Sequence, residues 1–384
     1  MTLCRRIIYC INTVISGIHV VDNNDLNFSG GPGALPKSVL SQVQEAIVSV
    51  PDVGLSILGI SHRSDWFCAV ISELEANIKL LLSLPDEYHV LFLQGGATQQ
   101  FSMIPMSLMI NGGAPPDYLH TGYWSGKALA DASRVGAVRT VWRGEDTGFR
   151  QLPCDEALHF ADDAPYFHYA SNETVEGLQF HRIPGRDDVP RICDMSSDFL
   201  SAPLDAERFS LIYAHAQKNI GPAGVTIVLI REGLLRNTAP NLPSFLDYRS
   251  HVTTHSLFNT PPVFAIYVVL LVTRWLINDV GGLERMSAAN REKASLIYQA
   301  MDDSDWFYQG RVNSTDRSLM NVTFKLPTEE LERKFLVEAE QAGFSGLAGH
   351  RAIGGVRASI YNGLSLQAAE ELVAFMEAFR LPRQ

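Results

Sequence analysis

Four short stretches of this sequence carry residues that could share one reaction. In Leu211–Gly224, LIYAHAQKNIGPAG, an apolar strand-like run enters a turn bearing one lysine, Lys218, and a second apolar run, VTIVLI, follows. An ammonium between two buried strands is costly unless it is paired or gives up its proton. A lysine that loses its charge easily is what Schiff-base chemistry with a carbonyl requires. A lone lysine in such a turn is also compatible with an ordinary solvated residue.

The other three stretches bear on that choice. Gly95-Gly96-Ala97-Thr98 follows the strand-like run EYHVLFL. Small residues opening a helix expose N–H groups to a phosphate, although a Gly-Gly turn is often only a turn. Trp124, in TGYWS, could stack on a flat heteroaromatic ring or simply fill a core. Asp194, in CDMSS, could cap a helix. It could equally be a carboxylate that keeps a pyridine nitrogen protonated and so makes the ring an electron sink. Phosphate cradle, stacking ring, ring-nitrogen carboxylate and Schiff-base lysine are together the contacts that pyridoxal phosphate needs. Three basic groups, Ser61-His62-Arg63, Gly349-His350-Arg351 and Gly355-Val356-Arg357, suggest a doubly anionic substrate. Taken alone, they are equally compatible with surface charge.

The elements that would position these residues alternate. Strands are expected at Glu87–Leu93, Asp117–His120, Val138–Trp142, Tyr166–Ala170, Arg191–Cys193, Phe209–Ala214 and Val225–Ile230. Helices are expected after Pro36 and over Phe67–Leu84, Phe101–Met109 and the polar stretch Gln151–Ala161, with another following TGYWS. This alternation implies an α/β fold, a large domain with a mostly parallel seven-stranded sheet. Functional residues are expected beyond the carboxyl ends of its strands. After Gly281-Gly282 the pattern changes to helices near 283–301, 329–342 and 365–379 with strands at 321–325 and 357–360, a smaller α+β C-terminal domain. The expected division is an N-terminal extension at 1–24, a large domain at 42–281, and a small domain formed by 25–41 and 282–384.

Composition narrows the partners. The 384 residues are 46% hydrophobic and 19% charged, ordinary for a soluble enzyme. A net charge of −11 argues against nucleic acid or an anionic membrane. Five scattered cysteines with no metal-ligand spacing suggest a cytoplasmic location and no metal. Ile7–Val21 resembles a weak signal peptide but lacks a clear cleavage site. Pro262–Ile277 falls short of the ~18–20 residues that span a bilayer and reads as a buried core helix.

Nine motifs in order carry a resemblance: NFSGGPGALP, SHRS, YHVLFLQGGATQQF, TGYWSGKA, SNET, DMSSDFLS, YAHAQKN-GPAG, FNTPPVFAIY and GHRAIGGVRASIYN. The chain resembles the phosphoserine aminotransferases, fold-type I enzymes that use pyridoxal phosphate, over essentially its whole length after the extension. The resemblance implies that Lys218 forms the Schiff base and moves the proton, Asp194 pairs with the ring nitrogen, and Trp124 stacks. It implies that Thr174 reaches the ring hydroxyl and that Ala97, Thr98 and Gln217 hold the phosphate, with Asn259 and Thr260 reaching it from a second subunit of a homodimer. Arg357 would clasp the substrate α-carboxylate. His350 and Arg351, with His62 and Arg63 from the partner, would take the substrate phosphate. The implied reaction converts 3-phosphohydroxypyruvate and glutamate to O-phosphoserine and 2-oxoglutarate, with a related step toward pyridoxal phosphate in some bacterial members. The chain departs from the family pattern at Gly30, Gly33, Gly59, Ala202, His215 and Ala348. These departures leave open a transaminase with another acidic keto-acid substrate, or a non-catalytic homologue.

Overall fold

The computed structural model describes residues 24–51, 53–109 and 113–383. The extension and the apolar run Ile7–Val21 therefore lie almost wholly outside the described residues.

The larger sheet is built from β1 (Tyr88–Leu93), β2 (Asp117–His120), β3 (Arg139–Arg143), β4 (Phe167–Ala170), β7 (Arg191–Asp194), β8 (Leu211–His215) and β9 (Thr226–Arg231). A two-stranded hairpin, β5 (Asn172–Glu173) with β6 (Leu178–Gln179), lies between β4 and β7 in the chain. The spatial order of the sheet is β1-β9-β8-β7-β4-β2-β3, and β9 alone runs antiparallel to its neighbours. The sequences explain this arrangement. The central strands β4, β7 and β8 are apolar or fully buried along nearly their whole length, as expected of strands covered on both faces.

Register sets the site. Ala170 pairs with Asp194, and Asp194 pairs with Tyr213, so the carboxyl ends of β4, β7 and β8 come level. The β8–β9 connection, from His215 to Thr226, carries Lys218 over that edge.

The helices cover the sheet by their apolar faces. Asp65–Leu82 starts at Ser64, whose hydroxyl accepts from Phe67 N, and buries Phe67, Val70, Ile71, Leu74, Ile78 and Leu82. Val263–Trp275 buries Ala265 through Thr273 without a break, in the same core. The segment Val263–Val280 is long and apolar enough to cross a membrane, yet its middle is packed inside the fold.

A second, separate core gathers Leu26 and Phe28 with residues from Ala294 to Phe379. Its sheet is β10 (Gln309–Gly310), β11 (Asn321–Lys325) and β12 (Val356–Ser359), all antiparallel. The buried Lys293, on the helix Leu283–Asp302, donates to the carbonyls of Ile360, Tyr361 and Leu364 at 3.0, 2.8 and 3.0 Å. Those three bonds pin the segment that follows β12.

Two expectations are corrected. Gln151–Ala161 forms no helix beyond the single turn Asp155–Ala157. Pro153 interrupts it, and the backbone is drawn elsewhere: Leu152 N donates to Asp316 Oδ2 at 3.0 Å. The helix expected from Phe101 starts at Ala97, because Gly95 and Gly96 at φ +99° and +82° turn the chain directly into it.

Candidate active site

Lys218 is buried. Its Nζ donates to Thr174 Oγ1 at 2.6 Å and to Ser197 Oγ at 3.1 Å, and those two hydroxyls lie 2.6 Å apart. Both partners are neutral, so burial dominates and pushes the ammonium down to about 8, against the opposing pull of the Asp194 and Glu173 carboxylates. The solvated alternative for this lysine is thereby excluded.

Asp194 ends β7 and is buried. Its Oδ1 accepts from Ser196 N at 2.9 Å and from Ser196 Oγ at 2.6 Å. Burial raises its pKa, while the Lys218 charge and the Ser196 donors pull it back. Trp124 lies with its ring centroid 5.1 Å from Lys218 Nζ, and its indole Nε1 is buried without a partner. Asp194, Trp124 and Lys218 line one narrow cavity of about 180 Å³ with Gly95, Gly96, Ala97, Thr98, Ser196, His215 and Gln217. Ala97 and Thr98 open the helix Ala97–Leu108, so its first N–H groups face that cavity.

These observations fit pyridoxal phosphate. A buried amine of lowered basicity, a buried carboxylate, an indole with an unpaired N–H and a helix N-terminus converge on one slot. Each supplies a contact that the aldehyde, ring and phosphate of that cofactor require.

Three features escaped the sequence reading. The first is a carboxylate pair. Glu173 accepts from Trp124 N and Ser125 N at 3.0 Å each, and Glu176 Oε1 accepts from Tyr123 N at 3.0 Å. Both glutamates are buried, and together they cap the helix Tyr123–Val135 that bears Trp124. Burial raises both, Glu176 to about 8 with the Glu173 charge beside it. Nothing local signals this cap, since some 50 residues separate the partners. The second is Ser197, whose hydroxyl shares Lys218 with Thr174. The third is where the His215 ring sits, since the sequence marked this residue only as a departure close to Lys218. Its ring lies 3.2 Å from where a Cβ on Gly96 would sit, so it forms part of the wall beside the helix N-terminus. Burial and the Lys218 charge lower its pKa to about 4.

Among the basic groups, Arg357 lies on β12, half-buried, with its Nε unpartnered. A Cβ at Gly30 would sit 2.3 Å from its Nη2, so the glycine leaves room for the guanidinium. Burial is the main cause of the lowered Lys218 and His350 pKa values, and the Arg357 charge adds to it at both, with Arg351 adding at His350. The His350 ring packs 4.7 Å from that of Tyr123, next to Trp124. The structure therefore brings Arg357 within electrostatic reach of both Lys218 and His350, with Arg351 near His350. His62 and Arg63 lie in the turn before helix Asp65–Leu82 and do not line the Lys218 cavity. Asn259 and Thr260 do not line it either, although the Thr260 carbonyl accepts from Gln94 Nε2 beside Gly95.

Comparison with known proteins points to the same cofactor class. The family model described as aminotransferase class-V matches residues 26–372. The phosphoserine aminotransferase of Laribacter hongkongensis is 48% identical over 353 residues, covering 92% of this chain and 98% of that protein. The solved phosphoserine aminotransferase from Bacillus circulans subsp. alkalophilus superposes with a TM-score of 0.90 at 47% identity, covering 93% of this chain and 98% of that one. A pyridoxal-phosphate-bound phosphoserine aminotransferase from Trichomonas vaginalis gives a TM-score of 0.86 at 34% identity, covering 92% and 99%.

Proposed function

From its membership of the class-V aminotransferases, where this chain belongs to the phosphoserine aminotransferase family and is a pyridoxal-phosphate-dependent transaminase, we propose that it transfers the amino group of L-glutamate to 3-phosphohydroxypyruvate, giving O-phosphoserine and 2-oxoglutarate. The observation that carries this reading is the buried Lys218 amine sharing one slot with Asp194 and Trp124, with the Arg357 charge acting on it.

The cofactor, when bound, supplies an aldehyde carbon for the lysine amine and an electron sink for the bond that breaks at the substrate α-carbon. Ala97, Thr98 and Gln217 would hold its phosphate, with Asn259 and Thr260 from a partner subunit. Asp194 would pair with the ring nitrogen, Trp124 would stack on the ring, and Thr174 would reach the ring hydroxyl. Lys218 Nζ, neutral near its depressed pKa, takes the α-proton and later returns one. Thr174 and Ser197 aim that amine. Trp124 and the cap beneath it help exclude water, which strengthens the Asp194–cofactor interaction.

Arg357 clasps the α-carboxylate with its planar fork, and His350 and Arg351, with the partner's His62 and Arg63, take the phosphate. The same anion cluster suits a longer phosphorylated hydroxy-oxo acid of the route to pyridoxal phosphate. In this reading the enzyme works as a cytoplasmic homodimer. A unit of 42–281 and one of 25–41 with 282–384 flank the site, a division supported by the two separate cores, although Val39 already packs with the larger one.

The test is the visible spectrum of the purified protein, before and after O-phosphoserine or serine. A yellow band that bleaches with O-phosphoserine but not serine supports the substrate. A yellow protein indifferent to O-phosphoserine discards that substrate and keeps the transaminase. A protein that cannot take up the cofactor overturns the reading.

A further inference from the structure

A second cavity of about 410 Å³, larger than the Lys218 slot, lies along the segment that follows Asp194, at the seam between the two cores. Seams of this kind and volume are where small ligands bind. Its walls come from the DMSSDFLSA segment, the β6 end and the helix Leu283–Asp302.

Its polar groups are not randomly placed. Asp198 receives only neutral donors, Ser171 Oγ at 2.5 Å and Gln179 Nε2 at 3.1 Å. Burial and the nearby Asp194 charge raise its pKa to about 6, so the carboxylate lacks a cation. Asn290 is fully buried; its Nδ2 is used twice, but its Oδ1 finds no donor. Arg291, an exposed residue at this cavity, has one hydroxyl partner, Ser287 Oγ at 2.6 Å, and no acidic partner among the described residues. Phe180, Met195 and Phe199 supply apolar wall between these groups, and Ala202 leaves space beside them. Two acceptors without a cationic donor, an exposed guanidinium without an acidic partner and an apolar wall match an ammonium, a carboxylate and a hydrocarbon side chain.

We infer that this seam cavity binds a free α-amino acid with an apolar side chain, its ammonium at Asp198 and Asn290 Oδ1 and its carboxylate at Arg291. Two short chains of bonds lead from it to the catalytic groups. Asp198 shares Ser171 with the Asp194 backbone, since Ser171 N donates to Asp194 O at 3.0 Å. Asn290 bonds Asn362 Oδ1 at 2.8 Å, and Asn362 N bonds the side chain of Asn219, next to Lys218, at 2.8 Å. An occupant therefore touches both supports of the slot, and its binding and substrate binding influence each other reciprocally.

The experiment uses the full-length holoenzyme in thermal unfolding and calorimetry with L-leucine, L-valine, L-methionine and L-phenylalanine, followed by N-acetyl-L-leucine and L-leucine methyl ester. The visible cofactor band is recorded throughout. At least one free amino acid is expected to raise the melting temperature by about 2 °C or more with the band unchanged. The blocked derivatives, each missing one charge, are expected to give none. Ala202→Phe, which fills the cavity, and Arg291→Leu, which removes the cation, are expected to abolish the shift and keep the band. No shift with any of the four, a shift that survives in either variant or with either derivative, or a shift accompanied by a changed band overturns the inference.

Discussion

Lys218 Nζ donates to Thr174 Oγ1 at 2.6 Å across 44 residues of chain, and this bond joins the turn after β8 to the hairpin after β4. Both hydroxyl partners of the amine are neutral, so nothing at contact distance holds its proton on. The chemistry proposed for this site follows from that imbalance.

The first prediction concerns the amine itself. Its folded pKa is lowered to about 8, so its neutral form grows about tenfold per pH unit below that value and then saturates. Cofactor-free enzyme mixed with pyridoxal phosphate should develop the visible band at a rate that climbs with pH and levels near 8. A rate still climbing to pH 10 would show an amine of ordinary basicity. Lys218→Ala should develop no such band and show no turnover.

Asp194→Ala tests the carboxylate. Loss of a preorganised charge at the ring nitrogen should lower turnover on the order of 100–1,000-fold. The Asp194 charge also raises the Lys218 pKa, so the pH midpoint of cofactor uptake should fall in the variant. An unmoved midpoint would separate the two groups and count against their shared slot.

His215 lines the wall beside Gly96, at the helix N-terminus. An imidazole there can donate to a phosphate, and hydrogen bonds to charged groups contribute about 1.5–3 kcal/mol. His215→Gly should therefore weaken retention of the cofactor roughly tenfold or more in equilibrium dialysis. Unchanged retention would make the ring a spacer only.

Glu176 gives a stability signature. Its folded pKa is raised to about 8 from 4.5, chiefly by burial. The folded protein thus holds a proton that the unfolded chain has lost between those values. The associated stability is fully present below about 4.5 and is lost as pH rises through about 8. Glu176→Gln keeps an acceptor for Tyr123 N and removes the titration. Melting temperature should fall with pH over that window in the parent and vary about 2 °C less in the variant. Parallel curves would sink the assignment.

Much of the site was legible from the chain because its groups sit at strand ends or in strand-linking turns. Lys218 and Asp194 each follow a short apolar run, and the alternation of runs implied a parallel sheet whose carboxyl edge gathers them. The Gly-Gly turn was readable for the same reason, since only glycine turns the chain that sharply into a helix. The polar stretch Gln151–Ala161 misled, because its composition suits a helix while its backbone donors go to distant side chains.

By itself, then, the sequence determined most of the order of elements and marked Lys218 and Asp194 as candidate site residues, since apolar periodicity and turn residues act over a few neighbours. Only the tertiary structure decided how those groups behave. Burial between neutral hydroxyls, and not the lysine's place in the chain, lowers the Lys218 pKa. Packing from residues some 50 positions away caps the Trp124 helix with Glu173 and Glu176. Space left between the two cores creates the cavity lined by Asp198 and Asn290. Desolvation, long-range capping and voids depend on which surfaces meet, and that is settled only when the chain closes on itself.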